Sequence, residues 1–246
     1  MKKTTVFIAD DHAIFREGLR LLLQAEENIE VVGEAANGHQ AVAEVARLWP
    51  DVVLMDLAMP LLNGIEATRR ITFEPSSTKV LVLSSYSDDQ HVQLALDAGA
   101  AGYVMKETAS HELVHAIHQA KSGNAFFSSL IAESLVQQWK NRADHPRAGA
   151  ARTLTARQKD VVQLIAEGFT TKQMATLLGI SAKTVEKHRQ ALMKRLNIHE
   201  VATLTRYAVS QRLVEAESYN HPVGDAAARL DGRSASHRTA ENCIQI

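Results

Sequence analysis

The chain has 246 residues, 46% of them hydrophobic, with 27 Lys+Arg against 28 Asp+Glu and a single cysteine, Cys243. That length has room for two modest domains. No apolar run approaches the roughly 18 residues that would span a bilayer, and the short run Val6–Ala9 is broken at once by Asp10-Asp11, so it reads as a strand rather than a secretory signal. One thiol permits no internal disulfide, which fits a reducing cytoplasm.

The net charge of −1 hides two opposite halves, because residues 1–121 hold 10 Lys+Arg against 17 Asp+Glu while residues 151–214 hold 11 against 4. A small basic segment of that kind has either a polyanion or the acidic half of its own chain as its expected partner.

In chain order, five short β-branched runs stand out: Thr5–Ala9, Ile29–Ala35, Asp51–Met55, Lys79–Ser84 and Gly102–Met105. Stretches with helical spacing separate them, so the first half predicts βαβ units, and the near-continuous hydrophobicity of Val52–Met55 and Val80–Leu83 marks central parallel strands covered on both faces. A helix over Ser110 to Lys121, with Leu113, Ile117 and Ala120 on one side, closes a doubly wound α/β domain of residues 1–121. Residues 122–152 read as a linker containing a helix from Ser128 to Trp139, with Pro146 and Gly149 beyond it. From residue 153 to 214 the pattern is helical throughout, punctuated at Gly168, Gly179 and Asn197. Residues 215–246 are rich in Ala, Arg, Ser and Asp without periodicity, the composition of a disordered tail.

Polar residues interrupt the strands at their carboxyl ends: Asp10 and Asp11 after the first, Asp56 after the third, Ser84 at the end of the fourth, Lys106 after the fifth. A strand order of 2-1-3-4-5 sets strands one and three side by side at the switch point where open parallel sheets bind ligands. Asp10, Asp11 and Asp56 then converge, and three carboxylates in one cleft call for a hard divalent cation, Mg²⁺ or Mn²⁺. With Lys106 neutralising a phosphoryl group and Ser84 donating to it, Asp56 is the candidate in-line nucleophile. A lone aspartate at a strand end is ordinarily a cap or turn former; four such ends together point to a site.

The segments Phe7-Ile8-Ala9-Asp10-Asp11-His12, Leu54-Met55-Asp56-Leu57-Ala58-Met59-Pro60 with Gly64, Ser84, and Gly102-Tyr103-Val104-Met105-Lys106 resemble the receiver domains of two-component systems. The resemblance covers residues 5–121 and implies a flavodoxin-like five-stranded sheet. It makes Asp56 the phosphoacceptor, gives Mg²⁺ to Asp11, Asp56 and the Ala58 carbonyl with Asp10 among or just behind the ligands, and sets Lys106 on the phosphoryl group. It also implies that Ser84 and Tyr103 are a switch pair, the hydroxyl moving toward the phosphoryl oxygen and the ring following.

In the basic half, Thr170-x-x-Gln173 opens one short helix as a capping box, Gly179-Ile180 turns the chain, and Ser181 caps a second helix to Leu196. That helix turns Val185, Leu192 and Leu196 inward and Lys183, Lys187, Arg189, Lys194 and Arg195 mostly outward, the layout of a helix-turn-helix. The runs Leu154-Thr155-Ala156-Arg157-Gln158, Ile165-Ala166-Glu167-Gly168, Lys172-Gln173-Met174-Ala175, Ser181–His188 and Lys194-Arg195-Leu196 resemble the LuxR-type DNA-binding domain, and both halves together resemble the NarL/FixJ family. The resemblance sets Glu186, Lys187 and Gln190 against base edges and Lys183, Thr184, His188 and Lys194 near phosphates. Gln158 stands where the family commonly has Glu. Residues Glu200–Val214, with Val201, Leu204, Ala208 and Val209, resemble the family's dimerisation helix.

The resulting expectation is a cytoplasmic transcription factor, switched by a histidine kinase at Asp56 and binding promoter DNA as a dimer, with no membrane partner and no enzymatic role. Two other readings stand beside it. One keeps DNA binding but makes it independent of phosphorylation, the acidic domain serving for dimerisation. The other is a phosphohydrolase of the haloacid-dehalogenase type, which calls for an acidic residue two positions after Asp56, where Ala58 stands; neither a G-x-S-x-G motif nor a phosphate-cradling loop occurs.

Overall fold

Runs of Val, Ile and Leu with no polar alternation can be buried on both sides only if helices cover both faces of a parallel sheet. In the computed structural model, which describes residues 2–73, 77–108, 110–142 and 154–214, they are. The chain runs through β1 (Thr4–Ala9), α1 (Ala13–Gln24), β2 (Ile29–Ala35), α2 (Gly38–Leu48), β3 (Val52–Met55), α3 (Gly64–Phe73), β4 (Lys79–Ser84), α4 (Asp89–Asp97), β5 (Gly102–Met105) and α5 (Ser110–Lys121). Val6, Ile8, Leu54 and Leu81 meet Leu19, Leu23, Leu113 and Ile117 on one face, whereas Phe7, Val53, Met55 and Val80 meet Ala41, Val45 and Ile71 on the other.

The sheet has six strands in the order β2-β1-β3-β4-β5-β6, which corrects the expectation of five. The sixth, β6 (Phe126–Phe127), pairs parallel to Gly102 and Tyr103 at the edge. Two residues are too few for alternation to register in a sequence, and the pairing depends on Gly102, where a Cβ would meet the Phe126 carbonyl oxygen at 2.3 Å. The helix that follows, α6 (Ser129–Arg142), lays buried Ile131 and half-buried Leu135 against Val92, Tyr103 and Met105.

The second body consists of α7 (Ala156–Ala166), α8 (Thr171–Leu178), α9 (Ala182–Leu196) and α10 (Val201–Ser210). Thr155 with Gln158 and Thr170 with Gln173 form reciprocal capping boxes that satisfy orphan amides at the starts of α7 and α8. Gly179 ends α8 at φ +64°, a left-handed conformation that glycine adopts without strain, and the Ser181 hydroxyl then accepts from Thr184 N–H at 3.1 Å to start α9. Val161, Leu164, Met174, Val185, Leu192, Leu204 and Ala208 are fully buried between the four helices. Residues 215–246 and most of the 140–152 stretch lie outside the described residues.

Candidate functional site

Backbone pairing delivers the acidic residues to one place. Asp56 N–H donates to Ala9 O at 2.8 Å, carrying the β1–β3 ladder past the strand ends, and Lys106 N–H donates to Ser84 O at 2.9 Å on the other side. Asp10 and Asp56 are consequently buried together while Asp11 stays half-buried. Lys106 Nζ lies 2.7 Å from Asp10 Oδ2 and 3.1 Å from Asp56 Oδ2, and 4.7 Å above the centre of the Phe15 ring.

Burial raises the Asp56 carboxyl to about 6, against the lowering pull of Lys106 and with a further rise from Asp10 and Asp11. Asp11 is raised as well, mainly by burial. Burial alone would lower Lys106, but the carboxylates of Asp56 and Asp10 more than offset it and hold the ammonium charged.

Ligand atoms of Asp10, Asp11, His12 and Asp56 all lie within 4.8 Å of one another. Asp10 Oδ2, Asp11 Oδ1 and Asp56 Oδ2 are buried without a well-aligned hydrogen-bond donor, and of these Asp10 Oδ2 and Asp56 Oδ2 face the Lys106 ammonium. A compact, oxygen-rich set with unsatisfied lone pairs suits a hard divalent cation. His12 is the residue that sequence reasoning passed over: its N–H donates to Asp10 Oδ1 at 2.8 Å, and its Nδ1 lies 2.8 Å from Asp11 Oδ1. Its only signal is its position next to Asp11.

Ser84 is fully buried, and its hydroxyl oxygen accepts from Tyr86 N–H at 3.1 Å. Tyr103 is also fully buried, more deeply than half-buried strand packing would require, and its hydroxyl donates to Tyr86 O at 2.6 Å. The two residues thus share Tyr86 as a backbone partner. The turn after Asp56 closes through Gly64, whose N–H donates to Leu57 O at 2.9 Å and where a Cβ would stand 1.8 Å from Asp56 O.

On α9, Lys183, Glu186, Lys187, Gln190 and Lys194 are exposed, with Thr184 and His188 half-buried beside them. Arg189 and Arg195, expected mostly outward, turn aside: Arg189 Nη1 donates to Thr171 Oγ1 at 3.1 Å, and Arg195 Nη1 to Gln158 Oε1 at 3.3 Å. The amide of Gln158 thereby keeps a link to an arginine in place of a charged pair. On α10, Leu204 and Ala208 are buried while Val201 is 47% exposed.

The two bodies touch through α3, the loop after β3 and the start of α4 on one side and α7 with the stretch just after α10 on the other. Arg70 pairs with Asp160, Lys159 Nζ lies 3.1 Å from Glu66 Oε2, and Arg212 Nη2 lies 3.7 Å from Asp88 Oδ1. One of these three pairs sets a cation of the acidic half against an anion of the basic half, so net charge alone does not describe the contact. None of these three pairs involves a residue of α9.

A parallel sheet with an acidic cleft at its carboxyl edge, joined to a helix-turn-helix unit, is the architecture of a two-component response regulator. The family model for the response regulator receiver domain matches residues 6–118, and that for bacterial regulatory proteins of the luxR family matches residues 152–208. The chain is 39% identical over 208 residues to the uncharacterized transcriptional regulatory protein YhcZ of Bacillus subtilis (strain 168), covering 85% of this chain and 96% of that one. It is 36% identical over 209 residues to the transcriptional regulatory protein LiaR of the same strain, covering 85% and 98%. A solved structure of two RcsB dimers bound to two parallel DNAs matches at 26% identity and a TM-score of 0.52, covering 85% and 99%. The chain belongs to the NarL/FixJ family of response regulators and is a phosphorylation-dependent transcription factor. Among the described residues no helix is long and apolar enough to cross a membrane.

Proposed function

We propose that Asp56 is the residue phosphorylated by a sensor histidine kinase and that phosphorylation switches the helix-turn-helix domain to bind promoter DNA as a dimer. The observation that carries this reading is the meeting of Asp56 with Asp10, Asp11 and the Lys106 ammonium at the carboxyl edge of the sheet. An oxygen of Asp56 attacks the phosphorus of a kinase phosphohistidine, the P–N bond breaks, and the imidazole leaves with the bonding pair as the acyl phosphate forms. Asp10, Asp11, Asp56 and the Ala58 carbonyl would hold Mg²⁺, or Mn²⁺ in its stead, which supplies positive charge to the transferring group. Lys106 holds a cation at the same oxygens, and Ser84, released from Tyr86, turns its hydroxyl toward the phosphoryl group while the Tyr103 ring follows. A reading without phosphorylation leaves this set of residues without a use.

On α9, Lys187 reads guanine, Gln190 adenine and Glu186 a cytosine amino group, with Lys183, Thr184, His188 and Lys194 against phosphates. The exposure of the polar residues along one helix and the DNA-bound dimers of the RcsB structure support this assignment. Pairing of two chains through α10 accords with the exposure of Val201 at its start. Incubation with acetyl phosphate and Mg²⁺ is expected to shift wild type, but not Asp56→Asn, on a phosphate-affinity gel. Equal shifts would reject Asp56.

A further inference from the structure

Leu61 belongs to the receiver by sequence and to the helix-turn-helix domain by packing. Its side chain is buried in the cluster formed by Leu154, Val161, Leu164 and Leu213, and its backbone takes φ +69°, a conformation unusual for leucine. Its N–H donates to both carboxylate oxygens of Glu167, at 3.1 and 3.2 Å. Asn63 N–H donates to Gln163 Oε1 at 3.1 Å, while Gln163 Nε2 donates to Met59 O at 3.3 Å and to Glu167 Oε1 at 2.8 Å. Asn63 Nδ2 completes the set by donating to Leu213 O at 3.2 Å. Alternate residues of the 59–63 backbone are thus held by two side chains of α7 and its C-cap.

That backbone starts three residues after Asp56 and is tied back to Leu57, the residue next to Asp56, by the Gly64 N–H. The side chain it engages is that of a half-buried glutamate whose carboxylate is bound by neutral donors, and burial raises it to about 7. Such a group is costly to bury without well-placed donors, so the contact depends on the loop presenting its amides where they now stand.

We propose that Gln163 and Glu167 form a latch through which the helix-turn-helix domain reads the conformation of residues 59–63, and that phosphorylation releases the domain by moving this backbone rather than by acting through the linker. The proposal rests on the assignment of Asp56 as phosphoacceptor. Ala58, whose carbonyl that assignment gives to the metal, directly precedes Met59, so the peptide that Gln163 holds is the next one along the chain from the peptide that feels ligation first. The latch leaves the outer face of α9 exposed and buries Leu213 and Val214 just after α10. It therefore restrains where the domain sits and how α10 can pair, not access to the reading helix.

Hydrogen exchange of the full chain, followed by mass spectrometry on a peptide spanning residues 57–64, tests this. In unphosphorylated wild type the Leu61 and Asn63 amides are expected to be protected, and Glu167→Ala should speed their exchange about tenfold or more. Leu61→Asn, which tolerates the left-handed backbone and leaves the helical domain's sequence untouched, should do the same. Wild type treated with acetyl phosphate and Mg²⁺ should match the variants. Fast exchange in unphosphorylated wild type, or full protection in a chain shown by phosphate-affinity gel to be phosphorylated, overturns the latch. A chain that fails to shift on that gel overturns the phosphoacceptor assignment itself, and the trigger with it.

Discussion

Lys106 Nζ stands 3.1 Å from Asp56 Oδ2 and nearer still to Asp10, so one ammonium is shared between two buried carboxylates. Removing it leaves those charges facing each other and takes a charge-assisted contact from the transferring phosphoryl group. Lys106→Ala is expected to slow phosphorylation by acetyl phosphate about tenfold to a hundredfold, the loss of a hydrogen bond to a charged group. Densitometry of a phosphate-affinity gel time course measures it, and an unchanged rate would remove Lys106 from the reaction.

Gly64 touches the backbone of Asp56 itself. A Cβ 1.8 Å from the Asp56 carbonyl oxygen cannot be accommodated by rotating a side chain, so Gly64→Ala must displace the loop or the strand end. The expected cost is about 1–3 kcal/mol, with loss of most phosphorylation. Denaturant melts of wild type and variant, with the same gel assay, check both.

The pH response of the interdomain contact follows from Glu167, which burial raises from 4.5 to about 7. A carboxyl raised in the closed form favours closure while it is protonated. The contact is therefore strongest below the unperturbed value and weakens as pH rises toward about 7. Asp160, also raised by burial, acts in the same sense, whereas the neighbouring His39, lowered by burial, acts in the opposite one. Small-angle scattering is expected to give a more compact chain at pH 6 than at pH 8. Glu167→Gln, which keeps an acceptor for Leu61 N–H but cannot ionise, should show a smaller difference.

Lys187 and Lys194 sit two turns apart on α9, both exposed, with different expected roles. Lys187→Ala should relax the preferred base at one position, losing about 1–3 kcal/mol of discrimination. Lys194→Ala should weaken all sequences alike and reduce the salt slope by about one. Binding to a selected site and a scrambled one, over a range of salt, separates the two. The opposite pattern would mean that α9 enters the groove in another orientation.

Local chemistry made much of this protein legible in its sequence. Uninterrupted Val and Leu runs can be satisfied only in central parallel strands, as in β3 and β4, and the Thr-x-x-Gln capping boxes mark the starts of α7 and α8 because capping is decided within one turn of helix. The carboxylates at the strand ends were legible for the same reason: parallel topology brings carboxyl ends to one edge. Phe126–Phe127 was not, since two residues carry no period, and neither was His12, whose placement against Asp11 depends on how α1 begins.

What the tertiary structure alone decided is how the halves meet. Leu61 and Glu167 are 106 positions apart, Asn63 and Gln163 are 100 apart, and no periodicity couples such residues. A backbone amide as the partner leaves no trace in residue identity. The sequence determined that Asp56 would lie at an acidic strand edge; only packing decided that the loop leading away from it would carry Leu61 into the core of the other domain.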